Sequence, residues 1–364
     1  MAYTTIDDPT QFFNTLLYTG NAADGSSTTQ DITGVGFQPD WVWLKSRTQA
    51  NHHFLVDSVR GANKGLYSDL TNTENTSTDY LKSFASDGFQ VGPDGVVNAN
   101  SQSYVSWNWL AGGSASSNSD GSITATVSAN PTAGFSIISY TSGQSGAFSI
   151  GHGLSSAPKM FIAKSRDEGH NWGFYYTVRG TNTNWMTLDT NDAQGNNSAD
   201  PDANGIADGA GGHTGVFAIL NSSTISIGPT AYANSGTSAI GYCFAEVKGY
   251  SKLGSYTGNG NTDGTFIYTG FRPAWIIGKR TDVTNNWYIF DNKRNTFNVT
   301  DAKLRSDQSS TENVNSGKTI DIVSNGVKIR SSDEEFNASG GTYIYMAFAE
   351  SPLVNSNSVP NNAR

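Results

Sequence analysis

Apolar and polar residues alternate strictly in several short stretches of this chain, separated by turns rich in Gly, Asn and Ser. In Tyr104-Val105-Ser106-Trp107-Asn108-Trp109, Val105 and both tryptophans share one parity, while Tyr104, Ser106 and Asn108 share the other. A period of two marks a strand, whose successive side chains point to opposite faces of a sheet. The same parity returns in Ile240, Tyr242 and Phe244 and again in Ile344, Met346 and Phe348. Each stretch therefore predicts a strand with its bulky face turned to the core of its own unit. Trp41/Trp43, Met160/Ile162 and Trp275/Ile277 repeat the pattern just after a proline, which can open a strand but has no N–H to donate inside one. Asp87-Gly88, Asn259-Gly260 and Asn325-Gly326 tolerate positive φ and predict tight hairpins. Helix is expected only near the start, over residues 8–16, where Asp8 can cap and Pro9 suits the first helical position.

These stretches belong to one pattern written three times. Pro39, Pro158 and Pro273 are offset by 158 − 39 = 119 and 273 − 158 = 115, and Lys45/Lys164/Lys279 and Arg60/Arg179/Arg294 keep the same two offsets. In the closing strands the offsets become 240 − 105 = 135 and 344 − 240 = 104, so the middle copy is longer. Its surplus falls in residues 192–213, a Gly/Asn/Asp-rich stretch that reads as an elongated surface loop. A repeat of roughly 100–130 residues suits a β-sandwich, whereas a propeller blade needs only about 40–50. The fold expected is all-β, with three tandem β-sandwich (jelly-roll-like) repeats over 17–118, 119–249 and 250–352. Residues 1–16 read as an N-terminal docking segment for a neighbouring molecule, and 353–364 as a loose C-terminal tail. Residues 111–118 have the composition of a flexible linker. The connection over 246–251 is short, which predicts tight packing of the last two units.

Composition narrows the function classes. Of 364 residues, 36% are hydrophobic and only 15% charged, with 40 glycines and 12% aromatics. Disordered chains are poor in aromatics and rich in charge, so this chain is expected to fold. Its net charge is −9, and its 22 basic residues are scattered singly, which leaves no stripe to displace counterions from nucleic acid. The lone Cys243 excludes an intrachain disulfide and a cysteine-based zinc site, and its apolar surroundings suit a small buried side chain. The opening residues lack the basic and apolar regions of a secretory signal, and no apolar run approaches the roughly 20 residues that span a bilayer. No membrane partner is expected, and the product is expected to be made in a cytoplasm.

Candidate chemistry is sparse. His53 aligns with Trp172 and Trp287, which marks it as a core or rim ring, and the other histidines lack ligand spacing. The Lys45 and Arg60 triplets, with Asp57 and Asp291 beside the arginines, recur in every copy. An active site is normally needed once, so these predict a structural clamp between adjacent strands. Tyr176 replaces the aspartate in the middle copy. The one metal-like run is Asp200-Pro201-Asp202-Ala203-Asn204-Gly205-Ile206-Ala207-Asp208. In one reading Asp200, Asp202, Asn204 and Asp208 supply side-chain oxygens to calcium and Ile206 a carbonyl. In the other the run is an ordinary polar turn. No catalytic residue and no required cofactor are expected.

The stretches Tyr3 to Pro9, Leu17 to Asn21, Gly36 to Trp43, Asp57 to Gly61, Cys243 to Lys252 and Tyr268 to Trp275 together resemble a family of marine bacteriophage virion proteins. That family is tail-fibre-like and built from tandem β units. The resemblance implies a non-enzymatic virion protein on the particle exterior, as tail fibre, appendage or adhesin, with capsid decoration the close variant. Its partners would be other virion proteins and copies of itself, and it would assemble in host cytoplasm and leave by lysis. The competing class is a carbohydrate-binding or carbohydrate-cleaving tailspike or lectin that engages a host surface glycan.

Overall fold

A computed structural model of the chain describes residues 3–142, 147–179, 184–194, 218–227 and 236–360. Among the described residues the regular structure is nearly all strand, in antiparallel sheets. In the first unit Phe13–Thr19 pairs with Ser103–Trp109, which pairs on its other side with Trp41–Ser46, and Phe54–Asp57, Lys64–Tyr67 and Asn75–Thr76 extend the sheet outward. The middle unit repeats this order with Phe135–Thr141, Ser238–Phe244, Met160–Ser165, Gly173–Tyr176 and Asn184–Thr187, and adds Ser116–Asn118 and Ala125–Asn130 at the first edge. The third unit has Ser251–Thr257, Thr342–Pro352, Phe271–Arg280 and Trp287–Asp291 in the same order. A three-stranded sheet accompanies each: Gln30–Thr33, Gly88–Val91 and Leu81–Ala85; Phe148–Gly151, Thr224–Ile227 and Ala218–Leu220; Phe266–Tyr268, Gly326–Ile329 and Ile320–Val323.

Register explains how the alternating pattern is used. Trp41 lies opposite Trp109 and Trp43 opposite Trp107; Met160 faces Phe244 and Ile162 faces Tyr242; Trp275 faces Phe348 and Ile277 faces Met346. All twelve side chains belong to one buried cluster that draws on all three units. Near its centre the Trp109 and Phe348 rings lie 5.7 Å apart, Phe244 and Phe348 6.0 Å apart, and Trp41 and Tyr242 4.3 Å apart. The opposite face of each large sheet packs on its own three-stranded sheet, giving three separate outer cores. The bulky faces thus close on one shared core, where the alternation alone had assigned each to its own unit. Strands sandwiched between two cores read as unbroken burial, as in Trp41–Ser46 and Met160–Ser165.

Other expectations change for local reasons. Asp8 does cap a helix, but it is a single 3-10 turn, Pro9–Gln11, and Phe13 already begins a strand because Ser103–Trp109 offers it a full ladder of partners. The N-terminal segment docks within its own chain. Phe13 is buried in the shared core, Phe12 packs edge-on against Tyr250, and the Tyr3 hydroxyl donates to the Gly270 carbonyl at 2.7 Å. The tail is tied down as well, since the Ser356 N–H donates to Asp7 at 2.6 Å. The expected linker is anchored: Ala111 and Gly113 N–H groups donate to the buried Asp40 carboxylate, and Ser116–Asn118 is strand. Asp87-Gly88 and Asn325-Gly326 turn hairpins, whereas Asn259-Gly260 lies on a connection between two sheets. No helix among the described residues is long and apolar enough to cross a membrane.

Candidate functional site

The repeated polar residues gather at the boundaries between units. Lys45, Lys164 and Lys279 are fully buried. The Lys45 ammonium donates to the carbonyls of Ser46 (2.6 Å) and Gln49 (3.2 Å). Lys164 donates to Ser165 (3.0 Å) and to Thr71 of the first unit (3.1 Å), and Lys279 to Arg280 (3.0 Å) and to Asn191 of the second (3.2 Å). Burial pulls all three ammonium groups down to about 8, against the pull of a nearby aspartate: Asp69 for Lys45, Asp189 for Lys164 and Asp307 for Lys279. Each aspartate also accepts a backbone N–H, from His53 (3.1 Å), Trp172 (2.9 Å) and Trp287 (3.3 Å). Burial pushes the Asp189 carboxyl up to about 6 and Asp307 up to about 7, and raises Asp69 as well.

The arginines form the second set. Arg60 Nε donates to Asp57 at 2.5 Å, and its Nη1 reaches Glu74 at 3.3 Å. Glu74 is also held by both Nε (2.8 Å) and Nη2 (2.9 Å) of Arg166, from the next unit. The Tyr242 hydroxyl of that unit donates to Asp57 at 2.8 Å. Between the third and first units the arrangement returns. Arg294 Nε donates to Asp291 at 2.6 Å and Nη1 to Glu312 at 3.1 Å; Arg47 grips Glu312 with Nε and Nη2; and Trp107 Nε1 donates to Asp291 at 3.1 Å. Contacts thus run from first unit to second, second to third and third back to first, closing a ring. The clamp joins units, where adjacent strands had been expected.

The second-to-third boundary differs. Arg179 keeps its place, but Tyr176 and Gln194 stand where Asp57 and Glu74 stand in the first copy, and Thr281 stands for Arg166. Arg179 Nη1 donates to Gln194 Oε1 (3.2 Å) and Thr281 Oγ1 (2.6 Å), and the Tyr176 hydroxyl donates to Gln194 Oε1 (2.6 Å). Beside it opens a pocket of about 390 Å³ lined by Val178, Arg179, Asn184, Gln194 and Ser255.

Of the residues singled out from sequence, the lysine and arginine triplets do come together, one set per boundary. His53 is buried; its Nδ1 accepts from Trp43 Nε1 at 2.9 Å, and burial together with Lys45 lowers its pKa well below the usual value. His52 contacts Asp69 at 2.7 Å and His170 contacts Glu168 at 2.7 Å. Cys243 is buried, which raises its thiol. The candidate calcium run of Asp200, Asp202, Asn204, Ile206 and Asp208 lies outside the described residues. Among the described residues no group of three or more His, Cys, Asp and Glu side chains is arranged to hold a metal. Sequence reasoning missed Glu74, Gln194, Glu312 and the three aspartates beside the lysines, Asp69, Asp189 and Asp307. A usable signal existed in Arg47, Arg166 and Thr281, whose spacing matches that of the lysines.

Fold and site together define an all-β protein in which three sandwich units close around one aromatic core. The chain belongs to the family described as Domain of unknown function (DUF7483), whose model matches residues 8–352 and so takes in all three units. Comparison with curated proteins and with solved structures gives no match.

Proposed function

We propose that this chain is a non-enzymatic structural protein of a bacteriophage particle, carried on the exterior as a tail-fibre, appendage or adhesin component, with capsid decoration as the close variant. The observation that carries this is the use made of the ionisable groups. Lys45, Lys164 and Lys279 are spent on backbone carbonyls, and Arg60 and Arg294 on carboxylates at the unit boundaries. A general acid, base or nucleophile has to reach its substrate, and these fully buried groups reach only the protein. Such a body suits repeated assembly into a particle, with other virion proteins and further copies of itself as partners, in host cytoplasm before lysis. Immunogold labelling of intact particles tests it: label on the exterior is expected, and particles that bind no antibody although they contain the protein would reject the surface placement.

A second reading, a carbohydrate-binding protein that engages a host glycan, is supported by the open polar pocket at Arg179. Glycan-array binding by the purified protein would favour it. Polysaccharide turnover would replace both readings with a tailspike enzyme.

A further inference from the structure

Three arginines occupy equivalent positions, and two are neutralised. Arg60 lies between Asp57 and Glu74, and Arg294 between Asp291 and Glu312. At Arg179 both carboxylates are replaced, by Tyr176 and Gln194, and it has no salt bridge among the described residues. Its hydrogen bonds run from Nη1 alone, to two neutral oxygens. Nε and Nη2 donate to nothing among the described residues. Those two atoms form the edge of a guanidinium that takes both oxygens of a carboxylate. Among the described residues that edge holds both oxygens of a carboxylate in Arg47 with Glu312, Arg166 with Glu74, Arg280 with Asp282 and Arg305 with Glu335.

The surroundings supply more than a charge. Among the described residues, the pocket of about 390 Å³ around Arg179 is lined by the carboxamides of Asn184 and Gln194, the hydroxyl of Ser255 and the aliphatic side chain of Val178. Gln194 is held in place, accepting from the Tyr176 hydroxyl and donating from Nε2 to Asn184 Oδ1 at 2.7 Å. A fixed guanidinium beside amide and hydroxyl groups matches an oxyanion carried on a polar, hydroxyl-bearing body.

We propose that the pocket at the second-to-third boundary is a binding site for a carboxylate- or sulfate-bearing ligand of this kind, an acidic saccharide unit, with Arg179 as its anchor. The site gives the glycan-binding reading a ligand class. It rests on the pocket and does not depend on where the protein works, so its failure would leave the particle placement standing.

The test is isothermal titration of the full chain with sodium glucuronate, sodium sulfate, sodium chloride at matched ionic strength, and glucose. Saturable binding of glucuronate, sulfate or both is expected, with none for chloride or glucose. The two anions separate carboxylate from sulfate recognition. Gln194→Glu rebuilds the carboxylate of the sister boundaries and is expected to weaken binding by at least about tenfold while raising Tm. Arg179→Ala is expected to abolish binding. No saturable binding to the wild type, or binding unchanged in the folded Gln194→Glu variant, would overturn the proposal.

Discussion

Asp307 holds its proton far above the range of an exposed carboxyl group. Its Oδ1 accepts the Trp287 N–H, its Oδ2 has no partner among the described residues, and burial lifts the pKa from 3.8 to about 7. The unfolded chain releases this proton near pH 3.8, whereas the folded chain keeps it until about 7. The contribution of Asp307 to stability is therefore complete below the lower value and is lost as pH rises through the upper one. Asp189 behaves alike, with its loss complete once pH has risen through about 6. Asp307→Asn mimics the protonated form and should flatten the decline in urea-midpoint between pH 4 and 7; an unchanged slope would place the titration elsewhere. The lysines carry the opposite sign. Lys279 falls from 10.5 to about 8, so its contribution is present above the first value and lost as pH falls through the second. Buried tyrosines such as Tyr345, whose pKa is raised, lose stability in the same alkaline range, so the lysine effect is read as a difference between wild type and Lys279→Met. The arginine clamps allow a sharper comparison. Asp57→Ala leaves the wholly buried Arg60 guanidinium without its main partner and should cost about 3–5 kcal/mol, while Tyr176→Phe at the sister position removes one hydroxyl and should cost about 1 kcal/mol. Denaturant midpoints check both, and equal losses would contradict the division into charged and neutral boundaries. The triplets themselves were legible because their spacing is constant. What they touch was not, since Glu74 and Arg166 belong to different units and spacing within a unit carries no information about which units meet.

Strands show the same division. Period-two alternation in Ser103–Trp109, Ser238–Phe244 and Thr342–Pro352 identified the central strand of each large sheet and its bulky face. Alternation says that a face is apolar, not what covers it, so the shared core stayed hidden. The start of the chain was misread because Asp8-Pro9 is a true helix-start signal satisfied within one turn. From Phe13 onward, pairing with Ser103–Trp109 provides a complete backbone ladder that no short helix could match. Phe13 then lies 5.2 Å from Phe348 and 4.9 Å from Trp109, between the first unit and the third. Phe13→Ala should cost about 3–5 kcal/mol through the cavity it leaves. Deleting residues 1–16 should leave the chain unable to fold, as read by near-ultraviolet circular dichroism. A truncated chain with native spectra would restore the view of these residues as a detachable arm. Turn chemistry was legible where geometry is strict. Gly88 has φ +147°, and a Cβ there would lie 1.9 Å from the Ile32 carbonyl oxygen, so only glycine fits the turn.

At the scale of the molecule, ring closure decides how the parts depend on one another. Each large sheet has two apolar faces, and its own three-stranded sheet covers only one. The other is covered by the two neighbouring units, with Trp275, Ile277, Met346 and Phe348 of the third unit packed among Trp109, Phe244 and Phe13. A unit cut from the ring would expose that face to water, an apolar patch of the kind that drives association. It would also take one partner from its boundary charges, as Glu312 would keep Arg294 and lose Arg47. Three independent sandwiches would instead unfold in separate steps and survive excision. The chain is therefore expected to unfold in one cooperative transition, with calorimetric and van't Hoff enthalpies equal. Residues 250–352 expressed alone should aggregate or bind a hydrophobic dye without a cooperative melt. If that fragment instead melts cooperatively and gives dispersed amide resonances, the shared core is dispensable and the units are beads on a string. The full-length calorimetric trace would then resolve into more than one peak, and the two measurements together admit only one of these architectures.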